Sequence, residues 1–245
     1  MKRVKRRIFS GPVCEQEVYY IADYQEVRSS KPRPRFKSDD ERKQHKLNIS
    51  RRRFARLVNA NFGPASYYVT LTMDDAHEVH TFDDAKRMMN NYYRRLQREN
   101  PDVKIVSVTG RGKGTKRIHF HMIIDGLPEE VISAKWTAGE VRTISHLREN
   151  NSYNGQAVGR DYSGLAQYMH DHWTEEQGEA SHRYKYTKNL IQPEFETPRE
   201  VKREYTTERP PRPPKGYKLL YAESNSFGYA YFKYVLEKPK RQRRC

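Results

Sequence analysis

Two histidines separated by a single residue lie in an otherwise apolar stretch, residues 117–124 (RIHFHMII). The alternation predicts a strand, in which successive side chains point to opposite faces. His119 and His121 then share one face, about 7 Å apart along the strand. Two imidazoles placed in this way can bind one metal ion, although two exposed histidines on a half-solvated sheet are the alternative. Imidazole suits Mn²⁺, Zn²⁺, Fe²⁺ or Cu²⁺, whereas Mg²⁺ is a weaker fit that needs oxygen ligands or substrate phosphate.

A tyrosine and a histidine four residues apart follow in a predicted helix, residues 165–173. Tyr168 and His172 share one helical face, whereas His170 points elsewhere, because two residues along a helix differ by about 200°. A tyrosine can act as a covalent nucleophile when the cost of its phenolate is lowered. A metal-bound phosphate diester nearby would favour the attack, because the ion neutralises charge on the attacked group. Tyr168 is therefore a candidate nucleophile.

The glycine-rich segment 110–116 joins two predicted strands. It lacks the GxxxxGK[ST] spacing of a phosphate loop and does not open a helix. We interpret it as a hairpin turn whose Arg111, Lys113, Lys116 and Arg117 contact DNA phosphates, with solvated surface charge as the alternative. Because the chain has no ATPase signature, we expect strand separation to come from a host helicase or from supercoiling at the origin.

The elements that must position these residues are predicted from periodicity. Strands are expected at 67–73, 103–109, 117–125 and 140–145, and helices at 82–98, 128–136 and 165–173. Thr81 and Asp84 resemble a capping box at the start of the helix at 82–98. A hairpin within 1–24, a basic helix from Ser38 to about residue 60, and strands at 216–221 and 227–235 complete the pattern. The element order predicts an α+β fold: a ferredoxin-like, single, mostly antiparallel sheet with helices on one face.

The composition excludes several classes of protein. The chain has 245 residues, with 47 Lys or Arg, 31 Asp or Glu and a net charge of +16. No stretch approaches the ~20 apolar residues of a membrane span, and the basic start lacks the apolar region of a signal peptide. Two cysteines without a CxxC pair provide neither a disulfide framework nor a thiolate zinc site. We expect a cytoplasmic protein that does not bind membranes.

The positive charge is concentrated at the two ends. The net charge is +10 in residues 1–60, +4 in residues 236–245 and only +2 between them. We therefore predict a basic N-terminal extension at 1–60, a folded domain at 61–197, and a third segment at 198–245. This third segment would consist of a proline-rich strap, two strands and a basic tail that pack on the same domain. Basic ends of this kind are expected to bind nucleic-acid phosphates without reading sequence, with solubilising tails as the alternative.

Together these segments resemble the His-hydrophobic-His endonucleases, also called HUH endonucleases. These are the rolling-circle replication initiators (Rep proteins) of plasmids and filamentous phages, with relaxases and single-tyrosine transposases as relatives. The resemblance covers about residues 66–190 and rests on 68–72, 82–98, 117–121, 165–168 and 188–193. It implies that His119 and His121 bind Mg²⁺ or Mn²⁺ and that Tyr168 attacks a phosphate of single-stranded or hairpin DNA at a replication origin. The products would be a 5′-phosphotyrosyl link and a 3′-OH that primes synthesis by a host polymerase, in a bacterial cytoplasm.

The sequence departs from that family pattern at two positions. The family often has a glutamate as third metal ligand at the end of the strand before the hairpin, where this chain has Val108-Thr109-Gly110. Many members also have a lysine three residues after the tyrosine, where this chain has Asp171. We hypothesise that His172 acts as third ligand or as the proton-transfer partner of Tyr168. His146, Glu223 or water are alternative ligands, and an inactive DNA-binding regulator or an unrelated metal hydrolase are alternative functions.

Overall fold

The computed structural model describes residues 1–21, 38–112, 117–153, 155–172 and 183–237. Lys113 and Lys116, two of the predicted DNA contacts, lie outside these residues. The described helices are α1 (Asp39–Asn61), α2 (Phe82–Glu99), α3 (Glu129–Ala134) and α4 (Ser163–His170). The described strands are β1 (Lys2–Ser10), β2 (Val13–Ile21), β3 (Tyr67–Met73), β4 (Lys104–Arg111), β5 (Ile118–Asp125), β6 (Gly139–His146), β7 (Asn151–Tyr153), β8 (Gln156–Gly159), β9 (Lys185–Tyr186), β10 (Glu194–Phe195), β11 (Arg199–Glu200), β12 (Tyr217–Ser224) and β13 (Ala230–Leu236).

The chain divides into two compact units. The first comprises Met1–Ser50, Asn150–Asp161 and Gln192–Cys245, and the second comprises Arg51–Glu149 and Tyr162–Ile191. None of the described helices combines the length and the apolar character that a bilayer crossing requires. The fold is α+β, as predicted, and its strand pairs are antiparallel.

A five-stranded sheet with the order β6-β3-β5-β4-β9 forms the centre of the second unit. The histidine strand, β5, is its middle strand and pairs with β3 on one side and β4 on the other. In this register Thr70 lies opposite His121, and His119 lies between Thr72 and Gly110. A strand in the middle of a sheet has both of its edges hydrogen-bonded, so the two histidines stand on a backbone held from both sides.

One face of this sheet is covered by α2 and α3. The predicted cap of α2 forms, because the Thr81 hydroxyl accepts a hydrogen bond from the Asp84 amide. The apolar side of the helix packs on the face of β5 opposite the histidines. The buried cluster contains Val69, Leu71, Ala85, Met89, Tyr92, Tyr93, Leu96, Ile118, Phe120, Met122, Ile124 and Ile132. Each large apolar side chain buried there contributes about 1.5–3 kcal/mol to folding.

Helices also pack on the other face, which differs from the predicted one-sided arrangement. The last turns of α1 and the whole of α4 lie against Val106, Val108 and Ile123 in a second buried cluster. The reason is that β4 and β5 have apolar residues on both faces near one end. The apolar positions of α1, such as Phe54 and Leu57, fall in its C-terminal part and match that end. The uncovered remainder of this face carries His119 and His121.

The first unit has its own sheet, with the order β10-β1-β2-β13-β12 and with β11 also paired to β1. The predicted N-terminal hairpin forms as β1 and β2, and β2 then pairs with β13 through Val18 opposite Ala230. Residues 2–21 are therefore part of a folded sheet, whereas the charge pattern alone predicts an extension over residues 1–60. The proline-rich segment covers this sheet, and the Tyr234 hydroxyl donates to the Pro211 carbonyl.

Candidate active site

Three imidazoles lie together on the uncovered face of the second unit's sheet. His119 and His121 project from β5, and His172 follows the end of α4. One ligand nitrogen from each ring lies within 4.8 Å of the others. The His121 and His172 ring centroids are 4.2 Å apart, and those of His119 and His121 are 4.9 Å apart. Two nitrogens that bind one ion at about 2.1 Å are at most about 4.2 Å apart, so a small side-chain rotation is enough to complete the site.

The backbone at the end of α4 determines which nitrogen of His172 is free. The His172 Nδ1 lies 2.7 Å from the Tyr168 carbonyl oxygen. A carbonyl only accepts hydrogen bonds, so Nδ1 carries the proton and Nε2 keeps the lone pair that binds a metal. An ion pair of 2.8 Å between Arg51 and Asp171 holds this turn in place. His172 can therefore act as a ligand or as a base through one nitrogen, and not as both at once.

His121 has the strongest features of a metal ligand. Its Nδ1 lies 2.6 Å from the Tyr68 hydroxyl, while its Nε2 is buried and has no hydrogen-bond partner among the described residues. Burial lowers the pKa of His121 to about 3, and the neighbouring His172 and His119 act in the same direction. The ring is therefore neutral at pH 7 and binds a cation without losing a proton. A buried nitrogen without a partner is costly, and a metal ion would satisfy it, so these residues fit the group that the sequence predicted.

Gly110 lets His172 approach. A Cβ atom at Gly110 would lie 2.9 Å from the His172 carbonyl oxygen and 3.1 Å from the His119 Nε2. Both distances are too short for an ordinary contact, so the glycine is required for close packing at this point. It stands where the sequence lacks the acidic third ligand, and the space is filled by the His172 backbone.

We expect Gly110→Ala to displace His172 and to raise the Kd for Mn²⁺ by about 10-fold or more, because a misplaced ligand costs affinity on the scale of its supporting groups. Isothermal titration of Mn²⁺ checks this. Gly164→Ala in α4 is the matched control, because no heavy atom lies within 4 Å of a Cβ there. Equal Mn²⁺ affinities for the two variants would show that Gly110 does not position the histidine.

Tyr168 borders the same cleft and is accessible to a large substrate. Its side chain is 51% exposed, and its ring centroid lies 4.4 Å from that of His172 and 5.5 Å from that of His121. The cleft has a volume of about 960 Å³ and is lined by Tyr168 and all three histidines. A nucleophile and a candidate metal site thus face one space.

Tyr68 connects Tyr168 to His121. The Tyr68 hydroxyl contacts His121 Nδ1, accepts a hydrogen bond of 3.3 Å from Thr70, and has a side-chain hydrogen bond with Tyr168. Burial raises the pKa of Tyr68 to about 12, so the hydroxyl keeps its proton. If His121 Nδ1 and Thr70 both donate to the Tyr68 oxygen, the Tyr68 proton is directed to Tyr168. Our sequence reasoning missed Tyr68, although its alternation with Thr70 and Thr72 in β3 placed it on the histidine face.

Other predicted residues lie apart from the histidine cluster or contact other protein groups. The Arg117 guanidinium is paired with Asp75 and Glu78, and Arg111 donates to the His80 carbonyl at 3.1 Å. His170, the other histidine of the pair, is fully buried against the Phe54 and Tyr184 rings. The alternative ligands do not join the described histidine cluster: His146 stacks on Tyr67 with ring centroids 4.1 Å apart, and Glu223 accepts a hydrogen bond from Tyr221 in the other unit.

Comparison with known proteins gives one match. Residues 66–177 match a family model of replication-associated proteins, the family of Replication-associated protein ORF2. No curated protein and no solved structure matches the chain. The matched segment is less than half of the chain, but it contains the three clustered histidines and Tyr168. The match is consistent with a protein that initiates DNA replication.

Proposed function

We propose that this protein is a metal-dependent HUH endonuclease that uses a tyrosine nucleophile to nick and rejoin single-stranded DNA, and so initiates rolling-circle replication of a plasmid or phage. The observation that carries the proposal is the arrangement of His119, His121, His172 and Tyr168 around one cleft, inside the segment that matches a replication-protein family. The residues support a particular division of roles.

The histidines hold the ion, and the tyrosine attacks. When bound, a divalent cation supplies positive charge that polarises the scissile phosphate. Three imidazoles favour Mn²⁺ over Mg²⁺, which prefers oxygen ligands. His172 acts through Nε2 in this arrangement, because its Nδ1 is held by the Tyr168 carbonyl. The distance of His172 from His121 favours a ligand role over a role in proton transfer.

The reaction is an exchange of one ester for another. The Tyr168 oxygen forms a bond to phosphorus, and the bond from phosphorus to the 3′ oxygen breaks. The phenolic proton is lost and the leaving oxygen gains one, so the products are a 5′-phosphotyrosyl link and a free 3′-OH. Tyr68 favours this step by donating a hydrogen bond to the Tyr168 oxygen as negative charge develops there. Attack by a 3′-OH on the phosphotyrosine reverses the step and rejoins the strand without ATP.

The wider process needs partners. The proposed substrate is single-stranded or hairpin DNA at a replication origin, and a host helicase and polymerase would open and copy the strand in the bacterial cytoplasm. Oligonucleotides that tile the replicon encoding the chain provide the test. With Mn²⁺, one of them should give a covalent adduct that EDTA prevents. An adduct formed only on a transfer-origin or transposon-end hairpin would instead identify a relaxase or a transposase. Specific binding without any adduct would identify an inactive regulator.

We expect His172→Ala to raise the Kd for Mn²⁺ by at least about 10–100-fold and to slow nicking in proportion at limiting metal. Titration of Mn²⁺ against nicking rate separates the two possible roles. If His172 is a ligand, saturating Mn²⁺ restores much of the rate, whereas a proton-transfer role leaves the rate low at every metal concentration. Unchanged metal affinity together with unchanged nicking would remove His172 from the site.

A further inference from the structure

We propose that Arg142 contacts the phosphate of the DNA strand that enters the histidine cleft and orients it for attack by Tyr168. This inference rests on the proposed function and assigns a phosphate contact that our sequence reasoning did not identify. It follows from an irregularity in β6, from the residues that line the cleft and from the pairing of the nearby arginines.

Arg142 is the extra residue of a β-bulge. In the ladder between β3 and β6, Thr70 lies opposite Thr143 and Leu71 lies opposite Val141, so Arg142 has no residue opposite it. A bulge interrupts the alternation of side chains and turns one of them in a new direction, and bulges are frequent beside active sites. Here Arg142 and Thr143 both line the cleft, although regular alternation would direct only one of two consecutive residues there.

The guanidinium of Arg142 is close to the metal ligands and available to a ligand. The Arg142 side chain is exposed, and its charge acts on His119, whose pKa is lowered by burial first and then by His172 and Arg142. Arg142 forms no ion pair and no side-chain hydrogen bond with the described residues. By contrast, Arg117 in the same cleft is neutralised by Asp75 and Glu78.

The charge of the cleft requires such a cation. Asp74 and Glu140 also line it, and their negative charges oppose the entry of a DNA phosphate. The planar guanidinium of an arginine donates two parallel hydrogen bonds to a phosphate group. Arg142 can therefore bind two phosphate oxygens from the β6 side of the cleft, while the histidine side remains available for the metal ion.

The test compares Arg142→Ala and Arg142→Lys with Arg98→Ala, which removes the same charge from the exposed side of α2. Each change is made in the wild-type chain for adduct formation and in Tyr168→Phe for the Kd of a single-stranded origin oligonucleotide. We expect Arg142→Ala to lower the adduct rate by about 10–100-fold and to weaken Mn²⁺-dependent binding. Its salt slope should fall by about 0.7, the value for one phosphate contact on single-stranded DNA. Arg142→Lys should recover part of the loss, and Mn²⁺ affinity without DNA should remain unchanged.

Two outcomes would overturn the inference. One is an Arg142→Ala variant that matches Arg98→Ala in adduct rate and in oligonucleotide affinity. The other is a loss of Mn²⁺ affinity without DNA, which would make Arg142 a structural support of the metal site. A wild-type chain that forms no adduct would contradict the proposed function itself. In that case the binding measurement alone decides on Arg142: a loss of Mn²⁺-dependent affinity in Arg142→Ala supports the assignment, and an unchanged Kd rejects it.

Discussion

Tyr168→Phe is expected to abolish the covalent protein–DNA adduct and to reduce nicking by at least about 10³-fold, because the substitution removes the nucleophilic oxygen. The Tyr168 ring would still stack beside His172, where the ring centroids are 4.4 Å apart, so the cleft should keep its shape. The Kd for the origin oligonucleotide should stay within about 2-fold, since the phenolic oxygen of a half-exposed side chain contributes little to binding as a whole. Denaturing gels report the adduct, and fluorescence anisotropy reports binding.

Tyr186→Phe provides the matched control. Tyr186 lies on the edge strand β9 of the same sheet and is 43% exposed, against 51% for Tyr168. The same oxygen is removed from a tyrosine of similar exposure away from the histidines, and nicking should persist at the wild-type rate. An adduct that survives Tyr168→Phe would show that another residue is the nucleophile.

The second large effect is expected from His121→Ala. This residue has the buried nitrogen without a partner among the described residues, so its loss should remove most of the Mn²⁺ affinity, at least about 100-fold in Kd. Nicking should fall to the level of the EDTA-treated wild type. The change should cost little stability in the absence of metal, because the lost ring nitrogen makes no hydrogen bond there and its low pKa already keeps it neutral at pH 7.

Thermal unfolding with and without Mn²⁺ separates loss of metal from loss of fold. A ligand at 100 times its Kd stabilises a protein by about 2.7 kcal/mol, which raises the melting temperature of a domain of this size by several degrees. The wild type and His146→Ala should show this rise, and His121→Ala should not. His146 is a suitable control because it stacks on Tyr67 at the sheet edge, outside the histidine cluster. An undiminished rise in His121→Ala would contradict the assignment of this residue as a ligand.

Local periodicity in the sequence predicted the elements that carry the chemistry. The alternation at 117–124 identified β5 and the face shared by His119 and His121, because a strand has a period of two. The spacing of apolar residues and the cap at Thr81 identified α2. The helical geometry also separated His170 from His172, and the structure places the first in the core and the second beside the other histidines.

Features that depend on long-range contacts were outside the reach of such patterns. The pairing of β2 with β13 joins residues more than 200 positions apart, and no local signal indicates it. The bulge at Arg142 results from a register shift against β3, and a single strand's sequence does not show its register. The space at Gly110 is visible only when the backbone after α4 is placed beside it. The partners of Arg111 and Arg117 likewise come from a segment more than 30 residues earlier.

The central claim is that Tyr168 becomes covalently linked to DNA in a metal-dependent step. The most direct measurement is peptide mapping by mass spectrometry after the wild-type chain is incubated with Mn²⁺ and a single-stranded origin oligonucleotide. The account predicts one modified peptide, which carries a 5′-phosphonucleotide on the Tyr168 oxygen, and an equal amount of free 3′-OH strand. It also predicts that neither product appears in EDTA. Modification of a different residue, or a strand cleaved by water with no protein adduct, would contradict it.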